Sequence, residues 1–154
     1  MAVTNGTFIL YDNALKNIQN GTIAVESASS DLIVLLATST YAPNVAADEF
    51  IADVTNELSG SGYSRQTLTG VTFAKQVDDS WMLDADNPEF SAIGGSLTAR
   101  YFVVAYNVGT GDADKPLIGF GLLDATPADV VTTDGNTLTI NFNELGLYRL
   151  AKAA

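Results

Sequence analysis

Asp84 and Asp86 are two residues apart, and on an extended strand that spacing turns both carboxylates to one face. With Asp78, Asp79 and Glu89 they form the densest acidic stretch of the chain. Such a cluster suits two chemistries. Calcium takes about six to eight oxygen ligands, and Asp84, Asp86 and Glu89 are the candidates to supply some of them. Two facing carboxylates can also act as the acid and base of a glycosidase. The spacing does not match the helix-flanked calcium loop, which alternates Asp with other residues before a glycine and a closing Glu. Asn87-Pro88 follows at once and favours a turn. The stretch therefore reads as a solvated acidic turn, with no metal and no catalytic residue assigned.

The rest of the chain offers little other chemistry. It has no histidine and no cysteine. Most proton-shuttling, thiol and zinc chemistry needs one of those side chains. A Ser–His triad is excluded, and no Ser–Lys spacing stands out. Gly109-Thr110-Gly111-Asp112 and Gly119-Phe120-Gly121 lack the strand, loop and helix order of a phosphate loop. Asp112 and Asp114 stand beside Lys115, so a local charge pair is expected there and not a metal site.

Eighteen acidic residues against seven basic ones give a net charge of -11. The cations Lys16, Arg65, Lys75, Arg100, Lys115, Arg149 and Lys152 are scattered. Nucleic-acid binding needs a basic stripe that displaces counterions, and none is present. Charged residues are only 16% and hydrophobic ones 47% of the chain. That combination suggests a surface partly covered by a partner. The first six residues have neither the basic nor the apolar region of a secretory signal. No apolar run approaches about 20 residues, so no membrane span is expected.

The elements that must carry these residues are mostly strands. Thr137–Phe142 alternates, with Leu138, Ile140 and Phe142 on one face. Asp31–Ala37 and the second half of Leu97–Tyr106 are apolar on both faces, which places them centrally between two layers. Leu117–Leu123 is a further strand, joined to Leu97–Tyr106 by the polar loop 107–116. A change of parity at Gly70, between Leu68 and Val71/Phe73, suggests a bulge. Trp81 and Leu83 share parity and are expected to face the core. Two short helices are expected. One carries Tyr11, Leu15 and Ile18, with Asp12 as cap and Asn20-Gly21 as stop. The other carries Ala47, Phe50, Ile51 and Val54. The fold class is mainly β: one domain over 1–154, an antiparallel sandwich, jelly-roll-like, with one or two short helices.

Two groups of residues are candidates for contact with partners. Tyr11, Tyr41 and Tyr63 lie in loops or at a helix start and are the best-placed aromatics for an exposed platform. Residues 1–8 form an uncharged arm, with Val3, Thr4 and Phe8 as contact candidates. Such an arm either adds a strand to a neighbour's sheet or serves as an edge strand of its own.

Several segments together carry a resemblance. They are Tyr11-Asp12-Asn13-Ala14-Leu15-Lys16-Asn17-Ile18, Ala37-Thr38-Ser39-Thr40-Tyr41-Ala42-Pro43, Asn56-Glu57-Leu58-Ser59-Gly60-Ser61-Gly62-Tyr63, Thr98-Ala99-Arg100-Tyr101, Lys115-Pro116-Leu117-Ile118-Gly119-Phe120 and Gly146-Leu147-Tyr148-Arg149-Leu150. Over nearly its full length the chain resembles the small structural proteins of tailed-bacteriophage virions, of the kind that decorate or cement the head. The resemblance implies a β-sandwich, often trimeric, on the outer surface of the capsid, with the major capsid protein as partner. It implies no cofactor and no reaction. A minor tail or fibre-associated protein, and a carbohydrate-binding adhesin module, are the alternatives.

Overall fold

A computed structural model describes residues 1–4, 6–25, 31–60, 62–124 and 129–151. The chain folds around a central five-stranded antiparallel sheet. Its strands are β2 (Ile9–Leu10), β3 (Leu32–Ala37), β4 (Gln66–Thr67), β9 (Tyr101–Tyr106) and β10 (Leu117–Leu122), in the order β2-β10-β9-β3-β4. The sequence dictates that β3 and β9 sit in the middle. Neither has a polar face to give to water, so both sides must be covered. Leu32, Val34, Leu36, Phe102 and Val104 face one core; Ile33, Leu35, Ala37, Val103 and Ala105 face the other.

The first core is closed by a layer of three small sheets. One has β1 (Ala2–Thr4), β12 (Thr137–Asn141) and β7 (Glu89–Ser91), in that order, with β1 parallel to β12. Another pairs β8 (Leu97–Ala99) with β11 (Val130–Thr132). The last orders β13 (Tyr148–Leu150), β6 (Trp81–Asp84) and β5 (Thr72–Lys75). Phe90, Leu97, Ala99, Leu138, Ile140, Leu83 and Leu147 bring this layer onto the central sheet. The sandwich expected from strand spacing is therefore present. The second core is closed by helix α1 (Asp12–Gln19) and segment 41–54, through Tyr11, Ala14, Tyr41, Ile51 and Val54.

Several local expectations are corrected. Helix α1 stops where Asn20-Gly21 says it should, with Gly21 at φ 79°. Its N-cap, however, is Tyr11, and Asp12 lies inside the first turn. Its buried face runs through Tyr11, Ala14 and Asn17, while Leu15 stands in solvent. The helix packs on β10, and Ala14 is the small residue on that buried side.

The second helix does not form beyond a single 3-10 turn, Ile51–Asp53. The Asp53 carboxylate accepts from the amides of Glu49 and Phe50, and Phe50 bridges to Pro116 in the β9–β10 connection. Side-chain bonds and tertiary pairing together outcompete the helix.

Leu97–Tyr106 is two strands in two sheets, broken at Arg100, whose amide bonds to the Ala37 carbonyl. Gly70 is likewise a crossing point and not a bulge. It lies at φ 60° between β4 in one sheet and β5 in another, and a Cβ there would meet the Asp86 carboxylate at 2.5 Å. Leu138 and Ile140 are buried as the alternation requires, but Phe142 is only half-buried, its ring 5.9 Å from that of Phe102.

Candidate functional site

The acidic cluster is dispersed by the fold. Asp84 ends β6 and accepts from the amide of Ala85 at 2.9 Å. Asp86 accepts from the Thr69 hydroxyl at 2.9 Å, while Glu89 stands exposed in β7 on a different sheet. Alternation cannot align Asp84 with Asp86 because β6 has already ended. Among the described residues, no group of three or more acidic side chains is placed to hold a metal ion. The Asp84, Asp86 and Glu89 calcium candidates are therefore not brought together. Also among the described residues, no helix is long and apolar enough to cross a membrane.

The three candidate tyrosines are corrected in a different way. Tyr11 and Tyr41 are buried, and Tyr63 is half-buried. Their rings pack the two cores, and their hydroxyls enter hydrogen-bonded locks. The Tyr11 and Tyr41 hydroxyls are 2.7 Å apart, and Tyr41 donates to Asp48 Oδ2 at 2.9 Å. The Asn44 amide donates to the same carboxylate oxygen at 2.9 Å. Burial pushes both phenols above the ordinary tyrosine value, so they remain neutral donors in series.

A larger lock closes the β4 edge of the central sheet. The short strand β4 leaves the Leu36 amide without a ladder partner, and the Tyr63 hydroxyl accepts from it at 3.0 Å. Tyr63 in turn donates to Glu57 Oε1 at 2.9 Å. Arg65 forks onto Glu57 at 2.8 and 2.6 Å, and onto Asp112 at 2.7 and 2.8 Å. Planar guanidinium geometry allows this double bidentate grip, which an ammonium cannot copy. The pairing expected between Asp112 and Lys115 is present but looser, at 3.8 Å. We expect Tyr63→Phe to cost about 1–3 kcal/mol, because it leaves the Leu36 amide without its partner and takes one of three donors from Glu57. Chemical denaturation reads this, and a loss below about 0.5 kcal/mol would mean that water replaces the hydroxyl freely.

Acid titration should reveal the same lock. The Arg65 guanidinium holds Asp112 below its ordinary value. A carboxylate depressed in the folded state contributes stability above its unfolded pKa of about 3.9, and that stability is lost as pH falls through the folded value. Asp112→Asn should therefore be less stable than the parent at neutral pH, and the gap should narrow in acid. The Asp112 side chain is 43% exposed, so salt should shrink the gap as well. Thermal unfolding at neutral pH and near pH ~3 tests both trends. A gap that stays constant across that range would remove Asp112 from the account.

The N-terminal segment carries edge strands of two sheets. Strand β1 is the edge of its own small sheet, and β2 is an edge of the central sheet, so these two short strands supply an outer strand to both layers. The N-terminal ammonium of Met1 also bonds to the Thr137 carbonyl. The arm is thus seated on its own chain. Asn5, and the side chains of Val3 and Thr4, lie outside the described residues, as does Ser61 in the resemblance segment. Phe8 is half-buried, stacked 5.9 Å from Phe102. Grooves flank the segment on two sides. One, about 460 Å³, runs between Thr7, Phe8 and residues 143–149; the other, about 480 Å³, between Ile9, Tyr101, Phe120 and Leu122. Exposed Leu145 and Ile9 mark the two.

Sequence reasoning placed Trp81 in the core, and the fold does not. Trp81 shares the parity of buried Leu83, yet as the first residue of β6 it is 41% exposed. Its place at the start of the strand, next to Asp78-Asp79-Ser80, was the available signal. Compared with known proteins, the chain matches no family model, no curated protein and no solved structure.

Proposed function

We propose that this chain is a decoration, or cement, protein of a tailed-bacteriophage head. It sits on the outer surface of the capsid and bridges neighbouring major capsid proteins, as a trimer, without performing a reaction. The sequence resemblance supports this reading. The structural observation that carries it is the position of β1 (Ala2–Thr4) and β2 (Ile9–Leu10), which are edge strands of two different sheets. An edge strand has unpaired backbone groups and accepts another strand. Two such edges on one short segment, bordered by exposed Met1, Ile9 and Leu145, suit a grip on an extended partner segment. Many copies of a modest grip hold strongly together. A net charge of -11 keeps the exterior soluble and repels nucleic acid.

The test is the composition of purified particles. A high, fixed ratio to the major capsid protein supports the reading, and removal of residues 1–8 should release the protein from particles. A few copies confined to the tail would replace it with a minor tail role. Retention of the truncated protein at full stoichiometry would discard the N-terminal grip.

A further inference from the structure

Trp81 is the only tryptophan in the chain, and it is left half in water. It is not an isolated apolar residue on a polar surface. Leu150 lies directly across from it on β13 and Lys75 directly across on β5, so the three form one rung of the small sheet. Leu150 is also exposed. Phe73 stacks on the indole with ring centroids 5.3 Å apart and 27° between planes. That stacking holds the indole in place. A groove of about 540 Å³ opens beside it, walled by Lys75, Asp79, Trp81, Leu150 and Ala151. Trp81 lines this groove and Phe73, packed against the indole, does not.

The groove has a polar rim as well as an aromatic floor. Lys75 Nζ lies 2.5 Å from Asp79 Oδ1. Asp79 is held in the tight β5–β6 turn at φ 63°, and its amide bonds to the Gln76 carbonyl. The pair offers ammonium donors and carboxylate acceptors side by side, since each group has bonding capacity beyond the other. A pyranose ring matches this arrangement. It has one face of C–H groups that lies on an aromatic plane and a belt of hydroxyls that both donate and accept. The volume falls in the range of small-molecule sites, roughly 300–1,000 Å³. Charge selects against acidic sugars. Lys75 is neutralised by Asp79 and the nearby Arg149 by Asp78, and the whole chain is strongly negative.

We propose that the groove beside Trp81 binds a neutral saccharide, with one pyranose ring on the indole and its hydroxyls on Lys75 and Asp79. This site is remote in sequence from the N-terminal grip and does not depend on it.

Trp81 fluorescence reads the site without background from another indole. The full chain is titrated with cellotetraose, chitotetraose, maltotetraose and a galactotetraose, with polygalacturonate as the acidic control. A saturable change in emission is expected with at least one neutral oligosaccharide, with a Kd between about 0.1 and 10 mM. Lys75→Gln and Asp79→Asn should each weaken it about 2- to 10-fold, the range of one hydrogen bond. Calorimetry should find no binding to Trp81→Ala and weakened binding to Trp81→Phe, with both variants shown folded by circular dichroism. The proposal is overturned by a neutral panel that leaves emission unchanged, by undiminished binding to Trp81→Ala, or by preference for polygalacturonate. An emission shift that follows protein concentration and not sugar would instead mark a contact between copies, and would also overturn it. Particle attachment of Trp81→Ala is scored separately, so failure of the sugar site and failure of the decoration reading are told apart.

Discussion

Phe102→Ala is expected to lower the unfolding free energy by about 3–5 kcal/mol, the range for losing a buried phenylalanine. The ring is fully buried in β9 and stacks with Phe8 at 5.9 Å. Phe142 approaches the same Phe102 ring from the end of β12, also at a centroid distance of 5.9 Å. On β10, Gly121 has no side chain because a Cβ there would overlap the Phe102 ring. One side chain thus joins the N-terminal segment, the central sheet and the end of β12. The loss would be a large share of the roughly 5–15 kcal/mol that holds a domain together. A double-mutant cycle adds a sharper reading. Gly121→Ala should destabilise the parent but cost less in the Phe102→Ala background, because the clash is gone. Denaturant melts followed by circular dichroism measure both. A single-mutant loss under about 1 kcal/mol would mean that the three elements are not joined at this ring.

Ile140→Ala should cost about 2–5 kcal/mol for a different reason. Ile140 is fully buried and anchors the outer layer, not the central sheet. It lies in β12, which pairs with β1 on one side and β7 on the other, in register with Val3 across β1. Loss of its side chain should therefore loosen the seat of the N-terminal strand as well as the core. Amide exchange in Ala2–Thr4 and Glu89–Ser91 should quicken before global unfolding. If the melt shifts while exchange in β1 does not, the N-terminal strand is held independently of β12. The outcome bears on the proposed grip, because an arm that opens easily is an arm that can change partners.

How much of this was legible in the residues can be judged element by element. The all-apolar runs of β3 and β9 announced strands covered on both sides, and they are. The alternation in Thr137–Phe142 set the parity of Leu138 and Ile140 correctly, while Phe142, at the end of the strand, is only half covered. Helix α1 was legible from its stop at Asn20-Gly21 but turned through one position, since the stripe Tyr11, Leu15, Ile18 and the face Tyr11, Ala14, Asn17 are neighbours on the same cylinder. The helix expected over Ala47–Val54 failed because the Asp53 carboxylate and the Phe50–Pro116 bridge take up its backbone, which buries Ile51 and Val54 but leaves Ala47 exposed. The aromatic candidates were inverted. Tyr11 and Tyr41 looked exposed from their loops and are buried, whereas Trp81 looked buried from its parity and is exposed.

Residue order alone determined what depends on near neighbours: a β-rich chain, the central position of β3 and β9, the face of β12, the helix stop and the lack of histidine and cysteine chemistry. These follow from side-chain period and type, which are properties of a few consecutive residues. Tertiary structure alone decided where one strand hands over to another at Arg100 and Gly70. It also decided which carboxylates meet Arg65 across 8 and 47 residues, and that β1 and β2 edge two different sheets. Those outcomes depend on where a distant layer begins and ends, and no local period encodes the position of that boundary.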